Sequence, residues 1–411
     1  MSGLSREQDR EREPVVITGL AAVSPLGSAY HAVVDALLEG RSGVQAIETS
    51  DPARAARQFA APVTDIPVAE GVDPAEFAAL DRLEQICLSP LAATLADAGL
   101  GPTPGRRLGL VLGLGAEHLK TWEFDFLAGG RQVFEPRCEP TLVHRLAARL
   151  GITGPAVTVA AACGSSGYAL AVARTWLQLG WVDACLAGGC DILSPTSLAA
   201  FYNLRALSRR SDDPAAASRP FDQARDGFVM GEGGGFFLLE RRRDARSRGG
   251  RLRGELIGVG MSSDGSHMVA PNTDPTQAAR AITAALADAG IAAAEIDYFN
   301  AHAAGTPVGD VAEAGAIRIA CGTAADGIPV SSTKSMTGHL VSGAAAFEAV
   351  ACLGAIERQA VPPTVNLDKP DPACPLDHVA HVARPRRIDV AASNSFGFGG
   401  SNLCLIFRRA A

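Results

Sequence analysis

Val157-Thr-Val-Ala-Ala-Ala-Cys163-Gly-Ser-Ser-Gly-Tyr168 is the stretch of sequence that decides the predicted fold and chemistry. It begins with β-branched and apolar residues, passes through small ones, and continues into an Ala-rich segment, 168–179, with helical spacing. This pattern predicts a buried strand, a tight turn and a helix, with Cys163 at the helix N-terminus. Because the positive end of a helix dipole favours a thiolate, Cys163 is a candidate nucleophile. A free cysteine is more often a small buried apolar residue, so this stretch alone leaves both interpretations open.

The bulk composition indicates a globular protein without a metal centre. The chain has 411 residues, of which 47% are hydrophobic, enough for a large core or two half-cores packed together. A net charge of −7 argues against nucleic-acid and anionic-membrane partners. The His and Cys residues do not cluster at zinc-ligand spacing, so we expect no metal site.

Cysteine usage and the N-terminus predict a cytoplasmic location. The nine cysteines are scattered without paired spacing, and the charged residues 1–13 are the reverse of a secretory signal. We expect residues 1–13 to form a disordered tail. No apolar run is long enough to span a bilayer.

The pattern of the first half restarts after residue 253. Residues 329–332 read as a strand, followed by a polar turn and an Ala-rich helix over 343–358, which is the same shape as the Cys163 stretch. We therefore predict two related α/β halves, 14–253 and 254–411. Residues 201–225 read as a basic loop, and active sites of such folds form where loops converge at strand C-termini.

Three further stretches carry polar, turn-rich residues after strand-like segments. Each alone has an ordinary interpretation: a histidine is more often a satisfied side chain than a catalyst, a lysine can be a surface charge, and Gly-Phe-Gly-Gly can be a bulge. The stretches are Asn300-Ala-His302-Ala-Ala-Gly-Thr306-Pro-Val-Gly-Asp310, Ser332-Thr-Lys334-Ser-Met-Thr-Gly-His339 and Asn394-Ser-Phe-Gly-Phe398-Gly-Gly-Ser-Asn402.

Together the four stretches resemble the β-ketoacyl-[acyl carrier protein] synthases, most closely the elongating type II enzymes. The resemblance extends over residues 14–408, and its most specific segments are Ser332-Thr-Lys-Ser-Met-Thr-Gly-His-Leu340 and Asn394-Ser-Phe-Gly-Phe-Gly-Gly400. It implies a thiolase-like αβαβα sandwich built from two related βαβαβαββ halves and normally dimeric.

The resemblance also implies the roles of the reactive residues. Cys163 matches the nucleophile that takes the acyl group from a carrier thioester. His302 and His339 match the pair that assists malonyl decarboxylation and stabilises the enolate oxygen. Lys334 matches the lysine that supports this site, and Glu348 matches its carboxylate partner. The residue types suit the chemistry, because a thioester needs a soft nucleophile and the enolate needs neutral hydrogen-bond donors.

Further roles implied by the resemblance concern the oxyanion hole and the phosphopantetheine arm. The backbone N–H groups of Cys163 and Phe398 would form the oxyanion hole, and the Phe398 side chain would gate the acyl pocket. Thr306 would bind the pantetheine arm of the carrier. Ala303 and Ala304 replace the Gly and Thr that are usual in the family after the catalytic His, and Val269 and Ala270 stand where hydroxyl side chains are common. Losing one neutral hydrogen bond costs about 1 kcal/mol. We therefore expect a weaker grip on the arm.

The expected carrier-docking surface also departs from the family. Residues 70–82 are acidic where the family often carries a basic helix, and residues 117–140 are shorter and more charged than usual. Arg205, Arg209 and Arg210 are the candidate docking patch for an acidic carrier, with an ordinary solvated face as the alternative.

The predicted function is decarboxylative Claisen condensation of an acyl thioester with malonyl carrier to give a 3-oxoacyl carrier. No cofactor is expected beyond the phosphopantetheine of the acyl carrier protein. The departures favour a specialised fatty-acid or polyketide pathway, with a homodimer or a heterodimer with a homologous subunit. Two alternatives are a non-elongating partner subunit resembling a chain-length factor, which Cys163 argues against, and an acyltransferase that does not use malonyl.

Overall fold

The protein is known from a computed structural model that describes residues 13–47, 58–101, 105–115, 123, 129 and 141–410. The described part is organised around one eleven-stranded sheet. Its strands are β1 (Val15–Val23), β2 (Leu108–Gly113), β3 (Ala156–Val159), β4 (Ala184–Asp191), β5 (Gly233–Arg241), β6 (Gly254–Ser263), β7 (Tyr298–Asn300), β8 (Pro329–Ser331), β9 (Asp377–His378), β10 (Val390–Gly397) and β11 (Ser401–Arg408).

The strand order shows an internal repeat. The order across the sheet is β9-β8-β7-β10-β11-β6-β1-β5-β4-β2-β3. The unit β3-β2-β4-β5-β1 therefore recurs as β8-β7-β10-β11-β6, and the two units meet where Val16 pairs with Glu255. In each unit the first three strands are parallel and the last two pairings are antiparallel. The predicted repeat of two related α/β units is confirmed.

Eleven α-helices occur in the described residues. They are α1 (Tyr30–Leu38), α2 (Pro74–Ala78), α3 (Arg82–Asp97), α4 (Leu142–Arg149), α5 (Ser165–Gln178), α6 (Pro195–Asn203), α7 (Arg242–Ser247), α8 (Thr276–Ala289), α9 (Gly309–Cys321), α10 (Lys334–Thr337) and α11 (Ala344–Arg358). Single turns of 3₁₀ helix lie at Ala162–Gly164, Pro214–Ala216, Ala293–Glu295, Val341–Gly343 and Phe398–Gly400, with a longer one at Gly322–Gly327.

Three hydrophobic cores separate five layers. In the central core, the apolar faces of α5 and α11 pack against strands of both sheet units, with Leu170 and Phe347 buried there. A second core lies between the first unit and helices α3 and α4, and a third between the second unit and α8 and α9. The result is the αβαβα sandwich that the resemblance implied, with α5 and α11 as the middle layer.

The structure corrects the sequence interpretation in two places. The region 201–225, predicted as a loop, begins inside α6, and Pro214–Ala216 forms a 3₁₀ turn. The stretch around Phe398, read as turn-rich residues after a strand-like segment, is the tip of the β10–β11 hairpin, and residues 394–397 and 401–402 belong to the strands themselves. Most of 117–140 and all of the predicted tail except Glu13 lie outside the described residues.

The described residues hold neither a membrane-spanning helix nor a metal-binding cluster. None of the helices in these ranges is long and apolar enough to cross a membrane. No group of three His, Cys, Asp or Glu side chains in the same ranges is arranged to hold a metal ion.

Candidate active site

Cys163 lies in the 3₁₀ turn Ala162–Gly164, immediately before α5. The turn is closed by a hydrogen bond from Gly164 N–H to the Ala161 carbonyl (3.1 Å). Ser165 Oγ reinforces it by donating to the Ala162 carbonyl (2.6 Å) and accepting from Ala161 N–H (2.9 Å). Ala162 has a φ of +48°, a conformation that non-glycine residues rarely adopt. The small residues of this stretch therefore serve a tight, strained turn that presents the thiol.

The electrostatics of Cys163 differ from the expectation based on helix position. Burial raises the pKa of the thiol to about 11, against the thiolate that the helix N-terminus was predicted to favour. The charge of Lys334 and a hydrogen bond from the Phe398 backbone N–H both lower that pKa. Cys163 is 7% exposed, so desolvation outweighs these two favourable effects.

His302 follows β7 on a loop held by a buried carboxylate. Glu313, on α9, accepts hydrogen bonds from the backbone N–H groups of His302 (2.8 Å) and Ala303 (2.6 Å). It also accepts one from Asn394 Nδ2 (3.0 Å), which joins the loop to β10. Burial raises the pKa of Glu313 to about 7, and these three hydrogen bonds act in the opposite direction. The carboxylate thus fixes the backbone that carries His302.

His339 lies against His302 with the ring centroids 5.2 Å apart and the planes at 82°. His339 Nδ1 accepts a hydrogen bond from the Val341 N–H (3.2 Å), so the neutral ring carries its proton on Nε2. Burial and the nearby Lys334 charge lower the pKa of both imidazoles well below the usual value. Both rings are therefore neutral at physiological pH and available as hydrogen-bond donors.

Lys334 and Glu348 form a buried ion pair beside the imidazoles, and each side chain is 2% exposed. Lys334 Nζ donates to Glu348 Oε1, and Ser218 Oγ donates to the Lys334 carbonyl (2.6 Å). Burial raises the pKa of Glu348 to about 7, while the Lys334 charge lowers it. The pair places a fixed positive charge next to the thiol and both rings.

Phe398 begins the 3₁₀ turn between β10 and β11, which we call the gate segment (Phe398–Gly400). The preceding Gly397 lies so close to the nucleophile turn that an added Cβ would be 3.2 Å from Cys163 N. The Phe398 ring lies 5.8 Å from that of Phe201 on α6, and Phe201 lies 5.2 Å from Phe228. Phe228 in turn contacts His339 at 5.3 Å, so a row of aromatic rings joins the gate segment to the imidazoles.

The structure therefore brings together the central predicted residues and leaves the peripheral ones further out. Thr306 is half-buried, and its Oγ1 accepts a hydrogen bond from Gly309 N–H (3.2 Å). Arg205 and Arg209 are exposed on the segment after α6. Arg210 is half-buried, and its Nη2 donates to the Ala224 carbonyl (2.8 Å).

Two features of the site were missed by sequence reasoning. Glu313 supports the His302 loop, and the aromatic pair Phe201 and Phe228 connects the Phe398 ring to His339 through ring contacts. The sequence held one signal for Glu313: it lies three residues after Asp310, in the first turns of the helix that follows the His302 loop. The aromatic pair had no local signal, because its members lie far apart in the sequence.

Comparison with known proteins agrees with this geometry. Residues 12–245 match the family model described as Beta-ketoacyl synthase, N-terminal domain, and residues 253–368 match Beta-ketoacyl synthase, C-terminal domain. The chain is 40% identical over 410 residues to 3-oxoacyl-[acyl-carrier-protein] synthase 2 of Synechocystis sp., covering 97% of this chain and 99% of the relative.

Two solved structures extend the comparison. One is a type II polyketide synthase acyl-carrier protein in complex with its ketosynthase bound to the hexaketide (TM-score 0.86, 30% identity, 97% of this chain and 100% of that chain). The other is the ishigamide ketosynthase/chain length factor (TM-score 0.85, 30% identity, 97% and 100%). The chain belongs to the β-ketoacyl synthase family and is an acyltransferase of the ketosynthase type.

Proposed function

We propose that the protein condenses an acyl group, held on Cys163, with malonyl carried by an acyl carrier protein, releasing CO₂ and forming a 3-oxoacyl carrier. The observation that carries the proposal is the convergence of one thiol, two neutral imidazoles and a buried ammonium group on one site. In this proposal residues 14–253 supply the nucleophile, and residues 254–411 supply the histidines, the lysine and the gate segment.

The first step is acyl transfer to Cys163. The sulfur attacks the thioester carbonyl of the acyl carrier, and the backbone N–H groups of Cys163 and Phe398 hold the developing oxyanion. The carbon–sulfur bond to the carrier breaks as the bond to Cys163 forms, and the thiol proton ends on the released carrier thiol. The Phe398 N–H already points at the sulfur in the free enzyme, which supports its assignment as an oxyanion donor.

The second step is decarboxylation of malonyl carrier. Loss of CO₂ leaves an electron pair on the α-carbon, which is stabilised as an enolate by hydrogen bonds from His302 and His339 to the thioester oxygen. Neutral rings suit this role because each imidazole has an N–H that donates a hydrogen bond while the ring stays uncharged. Lys334 adds a positive field. The α-carbon then attacks the acyl carbonyl, and the Cys163 sulfur leaves as a thiolate.

The carrier and its arm are assigned by position. The exposed Arg205 and Arg209, with Arg210 beside them, supply positive charge for an acidic carrier, and Thr306 lies on the loop that follows His302. The Synechocystis relative is named as an acyl-carrier-protein synthase, and one similar ketosynthase was solved in complex with its acyl-carrier protein, which supports a carrier-bound substrate. We place the reaction in the cytoplasm and assign it no further cofactor.

We further propose that the protein serves a specialised fatty-acid or polyketide pathway as a dimer with a homologous chain. The edge strand β3 pairs only with β2 among the described residues, which leaves one side of it free for a second subunit. The similarity to the ishigamide ketosynthase/chain length factor supports a homologous partner subunit. Full activity of the chain alone as a homodimer on ordinary saturated acyl carriers would contradict the specialised role.

The test is intact-mass detection of acylated Cys163 together with CO₂ release from malonyl carrier. The wild-type protein should gain the acyl mass from the acyl carrier, and it should release CO₂ only when both carriers are present at turnover. Cys163→Ala should gain no acyl mass. A wild-type protein that is never acylated would favour a non-elongating partner subunit. Acyl transfer without CO₂ release would favour an acyltransferase that does not use malonyl.

A further inference from the structure

Tyr168 joins the nucleophile turn to the end of the gate segment. Its ring covers Gly164, because a Cβ added to that glycine would lie 3.2 and 3.3 Å from two ring carbons. Its hydroxyl accepts a hydrogen bond from Ser401 Oγ (3.0 Å) and donates to the Asn402 carbonyl (3.4 Å). Ser401 and Asn402 are the first two residues of β11, directly after Gly400. One side chain therefore touches the residue after the nucleophile and the two residues after the gate segment.

The rest of the gate segment is held from a different direction. Gly399 N–H donates to the Met268 carbonyl (2.9 Å), and Asp264 N–H donates to the Gly400 carbonyl (2.8 Å). Asn402 Nδ2 donates to Asp264 Oδ1 (2.7 Å). These contacts tie the segment to the loop that follows β6, whereas Tyr168 ties it to α5, the helix that presents Cys163. The Tyr168 contact to α5 adds to the close approach of Gly397 to the nucleophile turn, where an added Cβ would lie 3.2 Å from Cys163 N, and it holds the other end of the segment relative to the sulfur.

We infer that Tyr168 is a positioning residue: its hydroxyl anchors the C-terminal end of the gate segment to the active-site helix and so keeps the Phe398 N–H aimed at the oxyanion position. The inference rests on the proposed function in one respect, since it takes the Phe398 N–H as an oxyanion donor. The corresponding position in α11 is Phe347, which lacks the hydroxyl, as expected if the tyrosine serves the reactive half alone.

The inference predicts a selective defect. Acyl transfer passes through an oxyanion and needs the Phe398 N–H, whereas alkylation of Cys163 by iodoacetamide displaces iodide at a tetrahedral carbon and needs no oxyanion donor. Weakening one positioning hydrogen bond should slow acylation about fivefold, the effect of one neutral hydrogen bond. Alkylation should slow less than acylation, because a weaker Phe398 hydrogen bond raises the pKa of the thiol for both reactions whereas only acylation also loses an oxyanion donor.

The experiment compares Tyr168→Phe, Ser401→Ala and the double variant in the full-length protein. Single-turnover acylation from an acyl carrier and alkylation by iodoacetamide are both followed by intact mass. Tyr168→Phe removes both hydrogen bonds and should lose about fivefold in the acylation rate constant at saturating carrier, with half-saturation unchanged. Ser401→Ala removes one of them and should lose no more than that, and the double variant should be no slower than Tyr168→Phe. Hydrogen exchange over 395–402 should be faster in all three.

A matched control is Tyr30→Phe on α1, which removes a hydroxyl bonded to Glu357 (3.2 Å) and should leave both rates unchanged. Equal loss of acylation and alkylation, or additive losses in the double variant, would overturn the inference. Unchanged acylation in Tyr168→Phe and in Ser401→Ala would do the same. If wild type is alkylated but never acylated, the proposed function fails instead, and the hydrogen-exchange comparison still tests the anchor.

Discussion

Two turns of the chain, Ala162–Gly164 and Val341–Gly343, have closely similar backbones and different chemistry. Each is one turn of 3₁₀ helix whose first residue has a φ of +48°, and each leads directly into a helix of the central layer. The Gly343 N–H donates to the Leu340 carbonyl (2.9 Å), and the Gly164 N–H donates in the same way to the Ala161 carbonyl (3.1 Å). The middle residue is Cys163 in one turn and Ser342 in the other.

The surroundings decide which turn is reactive. Ser342 is 0% exposed, and Asp191 at the end of β4 accepts hydrogen bonds from its Oγ (2.7 Å) and its N–H (3.2 Å). The Asp191 carboxylate therefore occupies the polar groups of that turn and links the two halves. Cys163 instead feels the Lys334 charge and accepts a hydrogen bond from the Phe398 N–H. The repeated fold thus supplies a strained turn at the start of a central helix twice, and the neighbouring side chains assign one copy to chemistry and the other to structure.

The strongest challenge to this comparison is to move the thiol. Cys163→Ala should lower condensation more than about a thousandfold, as removal of a catalytic nucleophile does. Adding Ser342→Cys to that variant should restore nothing, because position 342 is fully buried and its N–H already donates to Asp191. Intact mass after incubation with an acyl carrier shows whether either variant takes up an acyl group, and the 3-oxoacyl carrier formed measures condensation. An acyl group found at position 342 would show that the turns are interchangeable and the surroundings secondary.

The next largest effect concerns Glu348, a charged residue in α11 of the second half that has no charged counterpart in α5. Glu348 occupies the place in α11 that Ala169 occupies in α5, and it pairs with Lys334. Glu348→Gln should lower the free energy of unfolding by about 3 kcal/mol, because it leaves a buried ammonium group without a counter-charge. Urea unfolding above pH 8, where the native carboxylate is ionised, measures this.

The control for that variant is an exposed ion pair between α11 and α1. Arg358 Nη2 contacts Asp35 Oδ1 (2.8 Å) with side-chain exposures of 37% and 48%. Asp35→Asn should cost less than about 1 kcal/mol, since exposed pairs contribute little. A loss in Glu348→Gln as small as this would mean that water or relaxation compensates the buried lysine.

The sequence predicted the strand, turn and helix of the nucleophile stretch because their signal is local, but the strand was expected to be buried and β3 is a half-exposed edge strand. Small residues between a β-branched run and an Ala-rich run allow few structures other than a strand, a turn and a helix, and the same holds for the stretch that ends at Gly343. The hairpin that carries Phe398 was predicted less well, since Asn394 and Ser395 read as turn-rich residues yet are at most 2% exposed in β10. Asn394 is satisfied there by Glu313, 81 residues away, and such a partner has no local pattern.

The same limit applies to the electrostatics of the site. The helix position of Cys163 predicted a lowered pKa, whereas burial raises it to about 11. Burial depends on how the two halves pack over the thiol, which a local pattern does not contain. The residue types of the site could thus be found from sequence, and their protonation required the packed structure.

The third prediction concerns the histidines that distinguish the surroundings of Cys163 from those of Ser342. Burial and Lys334 lower the pKa of His302 and His339 well below the usual 6.5, so the folded state binds fewer protons than the unfolded chain. Their contribution to stability is therefore complete above the unfolded value and falls as pH drops below it. Burial raises the pKa of Glu313 and Glu348 to about 7, which acts in the opposite direction over the same range.

Because these effects oppose each other in overall stability, the rings should be observed directly. Histidine side-chain NMR, assigned with His302→Gln and His339→Gln, should show no titration of either ring as pH falls from about 8 to about 6.5, the range in which a free imidazole begins to gain its proton. A midpoint at or above the free value in either ring would mean that the site holds an imidazolium, and the neutral-donor mechanism would have to be abandoned.

The smallest effect tests whether the shared backbone is strained. A non-glycine residue at a φ of +48° is held there by its surroundings, and glycine adopts this conformation without steric cost. Ala162→Gly removes a single methyl group, so relief of strain should exceed the entropy that glycine adds to the unfolded chain and raise the free energy of unfolding by about 0.5 kcal/mol. The neighbouring Ala161 has a φ of −144°, where glycine brings no relief, and Ala161→Gly should instead destabilise by about 0.5 kcal/mol. Urea unfolding of the two variants in parallel measures the difference; if both lose stability equally, the turn before Cys163 stores no strain, and its likeness to the turn before α11 is one of shape alone.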